Sequence, residues 1–150
     1  MNHHGYFPVV VEDDDDFALL LTRAFVKVGV PERNVRRYAD GEAALTALGT
    51  VGVLMPSFMT LDIELPGMSG LSVLKQIRAQ ASFVNLPAFF LSGREDPGYV
   101  TEAYALRANG YWVKPSETLE LQEVVTAIVG SIRQPGPSRL PGCLPNPWTC

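Results

Sequence analysis

The feature that most constrains this chain is an alternation. Short apolar runs of three to five residues take turns with longer stretches whose apolar residues recur at helical spacing. Phe7 to Val11 (FPVVV) reads as a buried strand. Phe17, Leu20, Leu21, Ala24, Phe25 and Val28 then follow at i, i+3, i+4, i+7, i+8 and i+11, one face of a helix that Gly29 and Pro31 stop. Val35 to Tyr38 is a second strand, and Asp40 is placed to cap a helix from Gly41 to about Leu48. Phe58 to Leu61 (FMTL) is a third strand ending at Asp62, followed by the loop LPGMSG and a helix from Ser69 to Gln80. Ala88 to Leu91 (AFFL) is a fourth strand. Asp96-Pro97 opens a helix carrying Val100, Ala103, Tyr104 and Arg107. Tyr111 to Val113 is a fifth strand, and the last helix carries Leu121, Val124, Val125, Ile128, Val129 and Ile132.

Five strands alternating with five helices imply an α/β chain whose parallel sheet is covered on both faces. Right-handed crossovers then restrict it to a few doubly wound forms. With 150 residues the chain fits one domain. That domain is expected over residues 7–133, between an N-terminal tail (1–6) and a Pro-rich C-terminal tail (134–150). Residues 135–150 hold five prolines and two glycines, which cannot continue the helix and read as extended chain. Residues 49–55 (GTVGVLM) form an unusually apolar connection.

Composition excludes several classes. The net charge of −4, with no cluster of Lys or Arg, argues against direct DNA binding. No apolar run reaches the length of a membrane span, and the first residues lack a secretion signal, so a cytoplasmic location and no membrane partner are expected. Cys143 and Cys150 both lie in the last eight residues and read as free thiols. His3 and His4 are the only histidines and read as part of a tail.

In a doubly wound fold, functional groups gather at the carboxyl ends of the strands. Strand one ends in Glu12 and Asp13, strand three in Asp62, strand four in Ser92, and strand five in Lys114 followed by Pro115. Three converging carboxylates repel one another, and a hard dication relieves that repulsion. Oxygen-only ligands favour Mg²⁺, Mn²⁺ or Ca²⁺ over zinc, and so few protein ligands favour Mg²⁺ over a Ca²⁺ cage. Lys114, the Ser92 hydroxyl and the Gly93 backbone N–H would offset charge on a phosphoryl group. Asp62, alone at the tip of the central strand, is the carboxylate best placed to attack phosphorus. Asp14, Asp15 and Asp16 read instead as a solvated, helix-capping stretch.

These residues resemble the receiver domain of two-component response regulators over about Phe7 to Ile132. The resemblance rests on VVVEDD, LDIELPGMSGLSVLKQIR, LPAFFLSG and GYWVKP in that order, with 30 residues from Asp62 to Ser92 and 22 from Ser92 to Lys114. It implies an open flavodoxin-like sheet of order 2-1-3-4-5. It implies that Asp62 is the phosphoacceptor, that Asp13 binds Mg²⁺ (or Mn²⁺) directly, and that Glu12 acts behind it or through water. Glu64 would offer its backbone carbonyl to the metal, Ser92 would be the switch hydroxyl and Lys114 the family's lysine. Tyr111 would be the aromatic that follows Ser92, and the Lys114–Pro115 bond would be cis. Glu64 and Arg94 stand at positions that tune phosphate lifetime, and could pair over the site and limit access of water. The partners implied are a sensor histidine kinase and a downstream protein target, and a homodimer is compatible with this. VEDDDDFALLLTRAF and ADGEAAL look most like stand-alone regulators paired with sensor kinases, some of them light-sensing. The expected function is therefore that of a signalling phosphoacceptor, not a turnover enzyme. The alternatives are a receiver-like binding module that is not phosphorylated, and an aspartyl-phosphate phosphatase. The phosphatase reading would need a general acid two residues after Asp62, where Glu64 stands.

Overall fold

A computed structural model of the chain describes residues 5–50, 55–133 and 140–148. His3, His4, Cys150 and most of the apolar connection 49–55 lie outside the described residues. The elements run β1 (Pro8–Val11), α1 (Asp15–Lys27), β2 (Arg36–Tyr38), α2 (Gly41–Leu48), β3 (Phe58–Leu61), α3 (Gly70–Arg78), β4 (Ala88–Ser92), α4 (Pro97–Ala105), β5 (Gly110–Val113) and α5 (Thr118–Arg133). The five strands form one parallel sheet in the order β2-β1-β3-β4-β5. This is the α/β fold, and the strand order, expected from the resemblance.

Strand side chains alternate between two cores. Val9, Val11, Met59, Leu61, Phe90 and Tyr111 face α2, α3 and α4. Val10, Phe58, Phe89, Leu91 and Trp112 face α1 and α5. On that second face Phe25, Phe58, Phe89 and Trp112 make a row with ring centroids 5.6, 6.3 and 6.0 Å apart. Tilted and edge-on pairs of this kind add to area burial and tie neighbouring strands together.

Local signals set most boundaries. Asp14 caps α1 by accepting from the N–H groups of Asp16 and Phe17. Asp40 caps α2 through Ala43, and Ser69 caps α3 through Ser72. Asp96 stands before Pro97 as expected, but its carboxylate accepts from Arg94 Nε at 3.1 Å and makes no cap hydrogen bond. Arg107 does not continue α4. It lies beyond the helix at φ 65°, and its carbonyl accepts from Arg78. The Lys114–Pro115 bond, expected to be cis, is trans, as is every peptide bond among the described residues. The two isomers of an X–Pro bond differ by only about 0.5–1 kcal/mol, so small local differences decide between them.

Residues 140–148 of the Pro-rich segment do not trail away. Leu140 and Cys143 pack on the α1/α5 core, and Leu144 packs on the opposite core.

Candidate functional site

Register builds the site. Val11 pairs with Leu61, Leu61 with Phe90, and Ser92 with Val113, so β1, β3, β4 and β5 end at nearly one level. The residues at those ends therefore share one edge of the sheet. Glu12, Asp62 and Ser92 are 2%, 5% and 0% exposed, whereas Asp13 is exposed.

Lys114 joins the carboxylates. Its Nζ donates to Asp62 Oδ2 at 2.9 Å and lies 2.8 Å from Glu12 Oε1. It also sits 4.7 Å from the centroid of the Phe17 ring, which walls the pocket from the α1 side. The strand end is tied down as well, since the Lys114 N–H donates to the Ser92 carbonyl at 2.8 Å. Asp62 Oδ1 accepts from the Glu64 backbone N–H at 3.2 Å. Both oxygens of Asp62 are thereby oriented.

The electrostatics follow from burial and from Lys114. Burial raises the Glu12 carboxyl to about 7, even though the Lys114 ammonium works against it. Burial by itself would lower Lys114, but hydrogen bonds to Asp62 and Glu12 outweigh it and hold the ammonium above its ordinary value. Glu12, Asp13 and Asp62 each bring a carboxylate oxygen within 4.8 Å of the others. Three carboxylates against one ammonium leave two negative charges uncompensated when all are ionised. An all-oxygen donor set with that residual charge fits a hard divalent cation.

The switch candidates lie beside this pocket. Ser92 Oγ accepts from the Arg94 backbone N–H at 3.1 Å. Tyr111 is fully buried, its hydroxyl donates to the Arg94 carbonyl, and burial raises its phenol above the ordinary value. Ser92 and Tyr111 therefore both bond to the backbone of Arg94 in the β4–α4 loop, and the Ser92 side chain also bears on the Tyr111 phenol. The Arg94 guanidinium is nearer Asp96 (3.1 Å) than Glu64 (3.7 Å), and stands 5.5 Å from the centroid of Tyr99. The Glu64–Arg94 pair envisaged from the sequence is present, but it is exposed and shared with Asp96.

Three contributors had no clear signal in the sequence. Arg37 reaches from β2 to donate to the Glu12 carbonyl at 2.9 Å, and pairs with Asp15 at 2.8 Å. It braces the loop that carries Asp13. Phe17 reads as core from its spacing, yet its ring also faces the ammonium. Gly70 packs directly on the main chain at Asp62. Its place as the second glycine of LPGMSG was the one hint, because a glycine opening a helix often marks close backbone approach.

Comparison with known proteins agrees with this arrangement. Residues 9–126 match the family model for the response regulator receiver domain. The chain is 31% identical over 137 residues to the probable methanogenesis regulatory protein FilR2 of Methanothrix harundinacea, covering 87% of this chain and 88% of that one. It is 30% identical over 114 residues to the chemotaxis protein CheY-3 of Vibrio cholerae, covering 76% of this chain and 86% of that one. The fold is shared with the phosphorylated cyanobacterial phytochrome response regulator RcpA, at a TM-score of 0.76 and 23% identity over 91% of this chain and 99% of that one. Among the described residues no helix is long and apolar enough to cross a membrane. A sheet of order 2-1-3-4-5, an acidic pocket at its carboxyl edge and a family match over most of the chain lead to one assignment: this protein belongs to the response regulator receiver domain family of two-component signalling.

Proposed function

We propose that this chain is a receiver-domain response regulator that accepts a phosphoryl group on Asp62 from a sensor histidine kinase and signals to a downstream protein. The observation that carries this reading is the Lys114 ammonium, held between Asp62 and Glu12 at 2.9 and 2.8 Å with Asp13 beside them. A carboxylate set in this way is oriented, counter-charged by Lys114, and neighboured by the exposed Asp13.

In the transfer, a carboxylate oxygen of Asp62 forms a bond to phosphorus. The bond from phosphorus to the donor breaks, and its electron pair returns to the donor, an imidazole nitrogen of a phosphohistidine or the carboxylate of an acyl phosphate. No proton need leave Asp62. Asp13 and Asp62, with the Glu64 carbonyl and with Glu12 behind or through water, would hold Mg²⁺ or Mn²⁺. When bound, that cation would draw charge from the phosphoryl oxygens. Lys114 would move from bridging two carboxylates to bridging Asp62 and a phosphoryl oxygen. Ser92 would donate its hydroxyl to another, leaving the Arg94 N–H. The Arg94 carbonyl, which holds the Tyr111 hydroxyl, would feel that change, and the α4–β5–α5 face would carry it outward. Glu64 and Arg94 would set how readily water reaches the phosphoryl group.

The test is direct. The full chain, incubated with acetyl phosphate and Mg²⁺, is expected to gain one phosphate by intact mass, and Asp62→Asn to gain none. No adduct on the wild-type chain with any donor would sink the proposal and leave a binding module that is not phosphorylated. Rapid multiple turnover on phosphate monoesters would point to a phosphatase.

A further inference from the structure

The Pro-rich segment read from the sequence as extended chain makes specific contacts with β5 and α4. In a parallel ladder each residue directs its N–H and C=O to one side. Tyr111 directs both away from β4, at the outer edge of the sheet. Leu144 N–H donates to the Tyr111 carbonyl at 2.8 Å, and the Tyr111 N–H donates to Cys143 Sγ at 3.4 Å. The segment thus pairs both outward backbone groups of Tyr111, which would otherwise be open to another chain. Trp112 Nε1 donates to the Pro141 carbonyl at 2.9 Å, and the Tyr104 hydroxyl on α4 donates to the Leu144 carbonyl at 2.6 Å. Trp148 Nε1 closes the far end on the Thr101 carbonyl at 2.8 Å. Gly142, at φ 72°, makes the turn between Pro141 and Cys143 that a residue with a Cβ would resist. Leu140 and Cys143 lie over one core and Leu144 over the other, so the segment straddles the edge.

We infer that β5 and α4 form a docking surface for an extended, proline-containing apolar segment, and that residues 140–148 of the same chain occupy it in cis. The surface fits such a segment because it asks for little: one N–H for the Tyr111 carbonyl, one carbonyl for the Tyr104 hydroxyl, one for the Trp112 indole, and apolar side chains on both sides of the edge. Prolines at 141, 145 and 147 reduce the number of N–H groups left without partners and stiffen the extended chain. A partner that adds to β5 must first displace this cover. The inference is independent of phosphorylation at Asp62.

Amide exchange on the full-length chain tests it, at two protein concentrations tenfold apart. The Leu144 and Tyr111 amides are expected to exchange at least tenfold more slowly than in a free peptide or an open edge, equally at both concentrations. In full-length Leu144→Asp the Tyr111 amide is expected to lose that protection while amides of β1 and β3 keep theirs. A synthetic peptide of residues 140–148, added at about the millimolar effective concentration that a short linker provides, is expected to restore it. Leu144 exchanging at the free-peptide rate in the wild-type chain would overturn the inference, as would a peptide that restores nothing. Protection that grows with protein concentration would show a second copy as the occupant and overturn the assignment in cis.

Discussion

Gly70 lies so close to Asp62 that a Cβ at position 70 would stand 1.9 Å from the Asp62 carbonyl oxygen. The first residue of α3 is therefore pressed against the main chain that carries the candidate phosphoacceptor. The Gly70 N–H donates to the Ile63 carbonyl at 2.9 Å in the same contact. Gly70→Ala is expected to push this chain segment aside. Overpacking against backbone should cost about 1–3 kcal/mol in urea unfolding. It should also slow formation of the phosphate adduct under acetyl phosphate, because Asp62 moves relative to Lys114. Wild-type stability in this variant would show that α3 shifts freely and that the contact does not position the site.

Removing the ammonium should separate metal binding from phosphorylation. Lys114→Ala leaves Glu12 and Asp62 facing one another without a countercharge. Breaking a buried pair costs about 3–5 kcal/mol, and with the lysine side chain 20% exposed a loss of about 1–3 kcal/mol is expected. Titration of Mg²⁺, followed by fluorescence or calorimetry, should show affinity unchanged or higher, since two carboxylates lose a competing cation. The rate of adduct formation should fall by about 10²-fold, as on loss of one stabilising donor. A parallel loss of Mg²⁺ affinity would place Lys114 in the support of the whole pocket.

The raised Glu12 carboxyl gives a pH dependence of definite sign. Burial holds it at about 7 in the folded chain, against 4.5 for an ordinary glutamate. Between those values the folded state binds the extra proton, so stability falls as pH rises. In chelator, unfolding free energy is expected to decline from pH 5 to pH 8. Glu12→Gln should decline less over the same window. Mg²⁺ at pH 8 should recover stability in the wild-type chain, because the cation binds the ionised site and not the unfolded chain. Equal slopes for the two proteins in chelator would remove Glu12 as the source.

The pair at the mouth of the pocket should affect lifetime and not folding. Glu64 and Arg94 are exposed, and Arg94 is shared between Glu64 and Asp96. The double substitution Glu64→Ala, Arg94→Ala is expected to leave the urea unfolding midpoint unchanged, because an exposed pair contributes little. Loss of the adduct, timed by mass after the donor is removed, should quicken severalfold as water gains access. An unchanged rate would exclude the pair from control of hydrolysis.

Much of the site was legible in the sequence because parallel strands end in one plane. A residue type following each apolar run is enough to place Glu12, Asp62, Ser92 and Lys114 on a common edge, provided the period of each segment is read correctly. Boundaries held where a capping residue marks them, as at Asp14, Asp40 and Ser69. The start of α4 at Asp96-Pro97 held too, although the Asp96 carboxylate accepts from Arg94 two residues earlier and caps nothing. The reading failed at the other end, where Arg107 leaves the helix in the left-handed region and its carbonyl accepts from Arg78.

Local pattern determined the elements, the alternation and the chemistry of the carboxyl edge, since these depend on neighbours a few residues apart. Only the tertiary structure decided the contacts that span the chain. Lys114 reaches Asp62 across 52 residues, Arg37 reaches Glu12 across 25, and Leu144 closes on Tyr111. A Pro-rich stretch carries no periodicity from which docking could be read. Its place on β5 follows from two unpaired backbone groups at a sheet edge and from apolar surface on either side, and both exist only once the sheet has formed.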